Sequence, residues 1–160
     1  MSTGYAILTS LGACALAAGL EGLCAGKNVK AFFSQLRVPS YSPPLWVWSI
    51  IGGLYYVTFC FVLYRLLLLN ADSWMRPLTI TLVLFMLTVN AMANYVIFRA
   101  KDLHLNFILC ALAPLPDFAL LVCLVQLDSL AACSLTPYLV YRIYSIWWCY
   151  AIWKMNRTTT

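Results

Sequence analysis

Apolar residues run along this chain in long blocks separated by short polar breaks, with neither the two-residue alternation of a half-buried strand nor the one-sided stripe of a soluble helix. Residues 5–25 (YAILTSLGACALAAGLEGLCA) are apolar except for Glu21. A second block starts after Pro43 and Pro44 and ends near Arg65. Three more follow, broken around Asn70, Asp72 and Ser73, around Arg99 to Asp102, and near Asp128. About 20 residues at ~1.5 Å rise cross a bilayer core of about 30 Å. The pattern therefore predicts five membrane helices, at about 5–25, 43–69, 75–98, 104–126 and 130–154, in one all-α domain over residues 1–160. Residues 26–42 form the longest polar segment, with a short amphipathic turn over 29–36 that lies at the interface on Phe32 and Phe33.

Composition supports this reading. The 160 residues are 64% hydrophobic and only 9% charged, against roughly 25% charged in a soluble domain. The rival reading of the first block is a cleaved signal peptide, but the block lacks a basic n-region and its apolar run is long, so a membrane helix is the expectation. Its pairs Ala15/Gly19, Ala18/Gly22 and Gly22/Gly26 have the four-residue spacing of close helix packing. The net charge of +5 comes without a basic cluster, so nucleic acid is not an expected partner. Lys27, Lys30, Arg37, Arg99, Lys101, Lys154 and Arg157 gather on one side of the five-helix topology, with Arg65 and Arg76 on the other. This places the first loop and the C-terminus in the cytoplasm and the N-terminus outside.

Local chemistry refines the elements. Proline fits the first turn of a helix, so Pro43-Pro44 reads as the start of the second helix with Ser42 as its N-cap. Pro114 and Pro116 should kink the fourth helix. Asp117 beside them is costly near mid-membrane, and reads as neutral or paired with Arg142 across the bundle, or else as a group with a ligand or proton role. Glu21 reads as interfacial or as a partner for a cation, and Arg65 as a snorkelling side chain. Asn90 and Asn94 lie one turn apart on one face. Asn90 reads equally as a ligand-binding amide and as an interhelical hydrogen-bonding group. His104 reads as a solvated loop residue. Seven cysteines without a CxxC pair suggest neither a disulfide framework nor a zinc site. No nucleotide loop, metal cluster or Ser/His/Asp constellation is visible, so the expectation is a non-enzyme with no metal and no cofactor. A helix bundle rich in aromatics suits instead a flat hydrophobic ligand.

Three motifs in order carry a resemblance. Pro39-Ser40-Tyr41-Ser42-Pro43-Pro44-Leu45-Trp46-Val47-Trp48, then Leu87-Thr88-Val89-Asn90, then Pro137-Tyr138-Leu139 with Tyr150-Ala151-Ile152-Trp153-Lys154-Met155-Asn156 together resemble the translocator protein or tryptophan-rich sensory protein (TspO/MBR) family. The resemblance covers nearly the whole chain and implies a receptor for porphyrins (haem, protoporphyrin) or for sterols such as cholesterol, aiding their transport or regulation. The alternatives are a proton- or substrate-coupled transporter and a weak porphyrin-degrading enzyme. It also implies a homodimer in the mitochondrial outer membrane of a eukaryote or the cell envelope of a bacterium, and a cavity closed by loop 26–42 as a lid. By position, Tyr41, Pro43, Pro44, Trp46, Trp48, Asn90 and Ser145 would bind the ligand. Departures from the family's pattern are Gly52 and Ala93, where tryptophans are usual, Cys149 in place of an asparagine, and Leu109 in place of a carboxylate.

Overall fold

A computed structural model describes residues 2–69 and 74–157. The expected turn at Asn70, Asp72 and Ser73 and the threonine tail lie outside the described residues. Every element among those described is helical: α1 (Thr3–Ala25), α2 (Val29–Gln35), α3 (Leu45–Leu68), α4 (Met75–Tyr95), α5 (Leu103–Leu112), α6 (Pro114–Leu127) and α7 (Ser129–Asn156). Four stretches are long and apolar enough to cross a membrane: Thr3–Ala25, Leu45–Leu68, Met75–Ala100 and Leu103–Leu127. The expected count of five is corrected in one respect. At 28 residues α7 is long enough to span, but the tyrosines, tryptophans and Arg142 between Tyr138 and Trp153 lower its apolarity. The fold is an all-α membrane bundle.

Prolines set the breaks. The chain enters α3 at Leu45, with Pro44 as the extended flanking residue at ψ 158°. A residue before proline is kept out of helical geometry, so Pro43 cannot begin the helix and Ser42 does not cap it. Pro114 and Pro116 offer no N–H to the preceding turn, and the expected kink appears as a break at Ala113 between α5 and α6. The end of α4 widens into a π-helical turn, Val96–Ala100, before Lys101 takes a left-handed conformation at φ 56°. His104 therefore sits in the first turn of a helix, which Asp102 caps by accepting from the Leu105 N–H at 2.8 Å.

The helices close into a ring. α1 packs on α3 and α4, α4 on α6, and α7 on α5, α6 and α3. Two apolar clusters fill its ends. One is built around Phe59, Leu66, Leu120 and Leu135. The other joins Ile97, Leu103, Trp148 and Ile152 beneath the first loop. Side chains tie the helix ends together. Arg76 donates to the carbonyls of Leu66 and Leu67 at 2.9 and 3.1 Å, and Arg99 donates to that of Leu23 at 2.9 Å. Each places a cation on unpaired carbonyls at a helix C-terminus, where the dipole favours it. Arg65 does not merely snorkel: its Nε donates to Asp128 at 2.7 Å. Asp128 also accepts from the N–H groups of Leu130 and Ala131 and so caps α7.

The first loop is fastened to α7. Asn156 accepts from the Arg37 N–H at 3.0 Å and donates to the Arg37 carbonyl at 2.9 Å. Tyr144 donates to the Tyr41 carbonyl at 3.2 Å, and Trp148 Nε1 donates to the Ser42 hydroxyl at 2.9 Å. Phe33 stacks on Trp148 and Phe32 meets Phe98 edge to face, both at 6.1 Å between ring centroids. These rings bind α2 to the bundle.

Candidate functional site: a cavity inside the helix ring

Between the two clusters the ring surrounds a partly open cavity of about 510 Å³. Each surrounding helix presents one face to it. From α7 come Tyr138, Tyr141, Arg142, Ser145, Trp148 and Cys149, whose three- and four-residue spacing is that of one helical face. α4 presents Asn90, Ala93 and Asn94, the π-helical turn after it presents Ile97, and α1 presents Ala18, Glu21, Gly22 and Ala25. α3 contributes Trp48, Gly52, Tyr55 and Tyr56, and Val29 and Phe33 of α2 close the loop end.

Aromatic rings line one side. Trp48 lies 4.6 Å from Trp148 and about as far from Tyr141 as from Tyr144, at 6.3 Å between centroids. The Trp48 Nε1 atom is buried without a hydrogen-bond partner. On the opposite side Glu21 accepts from Asn90 Nδ2 at 2.7 Å and from the Tyr56 hydroxyl. Its partners are neutral donors rather than a cation. Asn90 thus makes an interhelical hydrogen bond while lining the cavity. Next to α7's aromatic face, Arg142 Nε donates to Asp117 Oδ2 at 2.8 Å, and its guanidinium also meets the Tyr138 hydroxyl and ring. Asp117 is buried with Oδ1 unpaired, whereas Arg142 reaches the cavity wall.

Of the residues proposed from sequence, Trp48, Asn90 and Ser145 come together on this cavity. The others are placed elsewhere. Trp46 is 66% exposed. Two residues from Trp48, it is turned about 200° away on a helix of 3.6 residues per turn. Tyr41 stacks on Trp147 with centroids 3.9 Å apart, outside the cavity lining. Pro43 and Pro44 shape the approach to α3 without lining the cavity. Missed by sequence reasoning were Glu21, Tyr141, Arg142 and Trp148 as wall residues. The readable signal was the run 138, 141/142, 145, 148/149, which is aromatic and polar on one face of a membrane-length helix. Gly52 and Ala93, which stand where tryptophans are usual, both face the cavity. A Cβ at Gly52 would meet nothing within 4 Å.

A ring of membrane helices around an aromatic-walled cavity defines an integral, multi-pass membrane protein with an internal cavity. Over residues 10–154 the sequence matches the model of the TspO/MBR family, and the chain belongs to that family. No individual curated protein matches it. Family membership supports, in general terms, a membrane protein that binds porphyrin- or sterol-like molecules.

Proposed function

We propose that this protein binds a flat hydrophobic ligand, a porphyrin or a sterol, inside the helix ring and serves its transport or regulation. The observation that carries the reading is the cavity of about 510 Å³ faced by Trp48, Tyr141 and Trp148. Its volume falls within the roughly 300–1,000 Å³ of small-molecule pockets. Offset or edge-on aromatic contacts add about 0.5–1.5 kcal/mol each beyond burial. Arg142, Asn90 and Glu21 supply the few polar groups that orient a ligand. With Gly52 and Ala93 in the wall, the ligand is bulkier or bound in a different orientation than in relatives with tryptophan there. The lid is the first loop, held by Asn156, Tyr144 and Trp148.

Binding without catalysis is the reading favoured over porphyrin breakdown, because the wall residues form a stacking surface and an ion pair rather than a paired acid and base. It is favoured over coupled transport because Asp117, the one buried carboxylate among the described residues of α6, is held by Arg142. Titration with protoporphyrin IX, following tryptophan quenching in detergent, tests the proposal. Saturable quenching that a sterol displaces supports it; linear quenching without saturation contradicts it.

A further inference from the structure

Two thiols meet on the cavity wall at a place that ligand binding does not require. Cys110 of α5 and Cys149 of α7 are both buried, and their sulfurs stand 2.8 Å apart. Both line the cavity, so a small solute that enters it reaches them. Their surroundings are polar for a membrane interior. Asn106 Nδ2 donates to Cys149 Sγ at 3.5 Å, the Ser145 hydroxyl is beside both sulfurs, and Arg142 faces the same cavity. The thiolate is the reactive form of a cysteine. A disulfide bond measures about 2.05 Å, so the sulfurs need to close by only about 0.8 Å.

We propose that Cys110 and Cys149 form a dithiol site that hydrogen peroxide oxidises reversibly to a disulfide. One sulfur, as thiolate, attacks a peroxide oxygen; the O–O bond breaks, a sulfenic acid forms and hydroxide leaves. The second sulfur then attacks the sulfenic sulfur. The S–S bond forms, the S–O bond breaks, and the departing oxygen leaves as water with the second thiol's proton. In total, two thiols and one hydrogen peroxide give one disulfide and two waters, and two electrons pass from sulfur to peroxide oxygen. A dithiol reductant reverses the change. The bond ties α5 to α7 across the cavity wall. In a reducing compartment the thiols are the resting form, and the disulfide forms only under oxidant. The site is independent of what the cavity binds.

The test uses the purified wild-type protein in detergent. It is exposed to hydrogen peroxide, alkylated after denaturation, digested and analysed by peptide mass spectrometry. The expected product is a Cys110–Cys149 cross-linked peptide, two hydrogens lighter than the separate peptides and released by dithiothreitol. In Cys149→Ser the cross-link should vanish, and dimedone should label Cys110 as sulfenic acid. Cys14 and Cys60 are also neighbours, and Cys133 is exposed, so they are internal controls. Full alkylation of Cys110 and Cys149 at oxidant doses that convert Cys133 overturns the proposal, as does a Cys14–Cys60 link formed in its place. The wild-type result stands whether or not the variant folds.

Discussion

Removing either member of the Asp117–Arg142 pair should destabilise the bundle, and by unequal amounts. The pair bridges α6 and α7 at 2.8 Å. Breaking a buried ion pair by deleting one partner costs about 3–5 kcal/mol, chiefly because a charge is left buried alone. The two leftover charges differ here. After Asp117→Asn, the remaining cation lies on the cavity wall with a side chain 17% exposed, and water in the cavity can solvate it. The cost should fall near ~3 kcal/mol. After Arg142→Met, the remaining carboxylate is 3% exposed and its Oδ1 already lacks a partner. The cost should approach ~5 kcal/mol. The double variant Asp117→Leu with Arg142→Met removes both charges and should recover most of the loss. The assay is denaturation in detergent followed by circular dichroism, with free energies taken from the midpoints. Losses below ~1 kcal/mol for both single variants, or a double variant as unstable as the sum of the two, would refute the reasoning.

Three further outcomes follow from other parts of the structure. Asp128→Ala should cost about 1 kcal/mol by losing the cap of α7, and Asp128→Asn much less as a cap because asparagine caps nearly as well. Burial alone would raise the Asp128 carboxyl, but the hydrogen bond and charge of Arg65 and the N–H groups of Ala131 and Leu130 outweigh it and hold it below the usual carboxylate range. With a folded value below the unfolded one of about 3.9, its contribution is fully present above that pH and is lost as pH falls through the folded value; acid melts of wild type and Asp128→Asn should converge there. Asn156→Ala removes two hydrogen bonds to Arg37, worth about 1 kcal/mol each, and should raise hydrogen exchange across residues 26–42 without altering that of α3; unchanged exchange would mean that the loop is held by its rings. Gly52→Trp should fold, since a Cβ at Gly52 has open space, while filling the cavity and weakening ligand binding tenfold or more, about 1.4 kcal/mol; undiminished binding would place the ligand elsewhere.

How legible the molecule was depended on the range of the interaction. The blocks of apolar residues foretold the spans, and Pro114 with Pro116 foretold the break in the fourth, because both effects act within a turn or two of backbone. Asp117 with Arg142 was also readable, since a buried carboxylate demands a cation and few were on offer. Pro44 shifted the start of α3 by two residues, a local rule that the tandem prolines contained and that pairing Ser42 with a cap overlooked. The cavity's polar side was not readable. Glu21 and Asn90 are 69 positions apart, and Arg37 and Asn156 are 119 apart; no periodicity links such partners. Trp46 and Trp48 show the limit of motif reasoning. The motif marks both, but the 100° per residue of a helix lets only one face the cavity, and only the packing of α3 against α7 decides which.

The central claim is that a flat hydrophobic ligand binds in the cavity against Trp48. Protoporphyrin IX titrated into Trp46→Phe and Trp48→Ala, side by side with the wild type, tests it most directly. Trp48→Ala loses its ring contacts to the ligand and should weaken binding by about tenfold or more, a change of ~1.4 kcal/mol. Trp46→Phe alters an outward-facing residue and should leave the dissociation constant unchanged. Equal affinity in both variants, or loss in Trp46→Phe alone, would contradict the account.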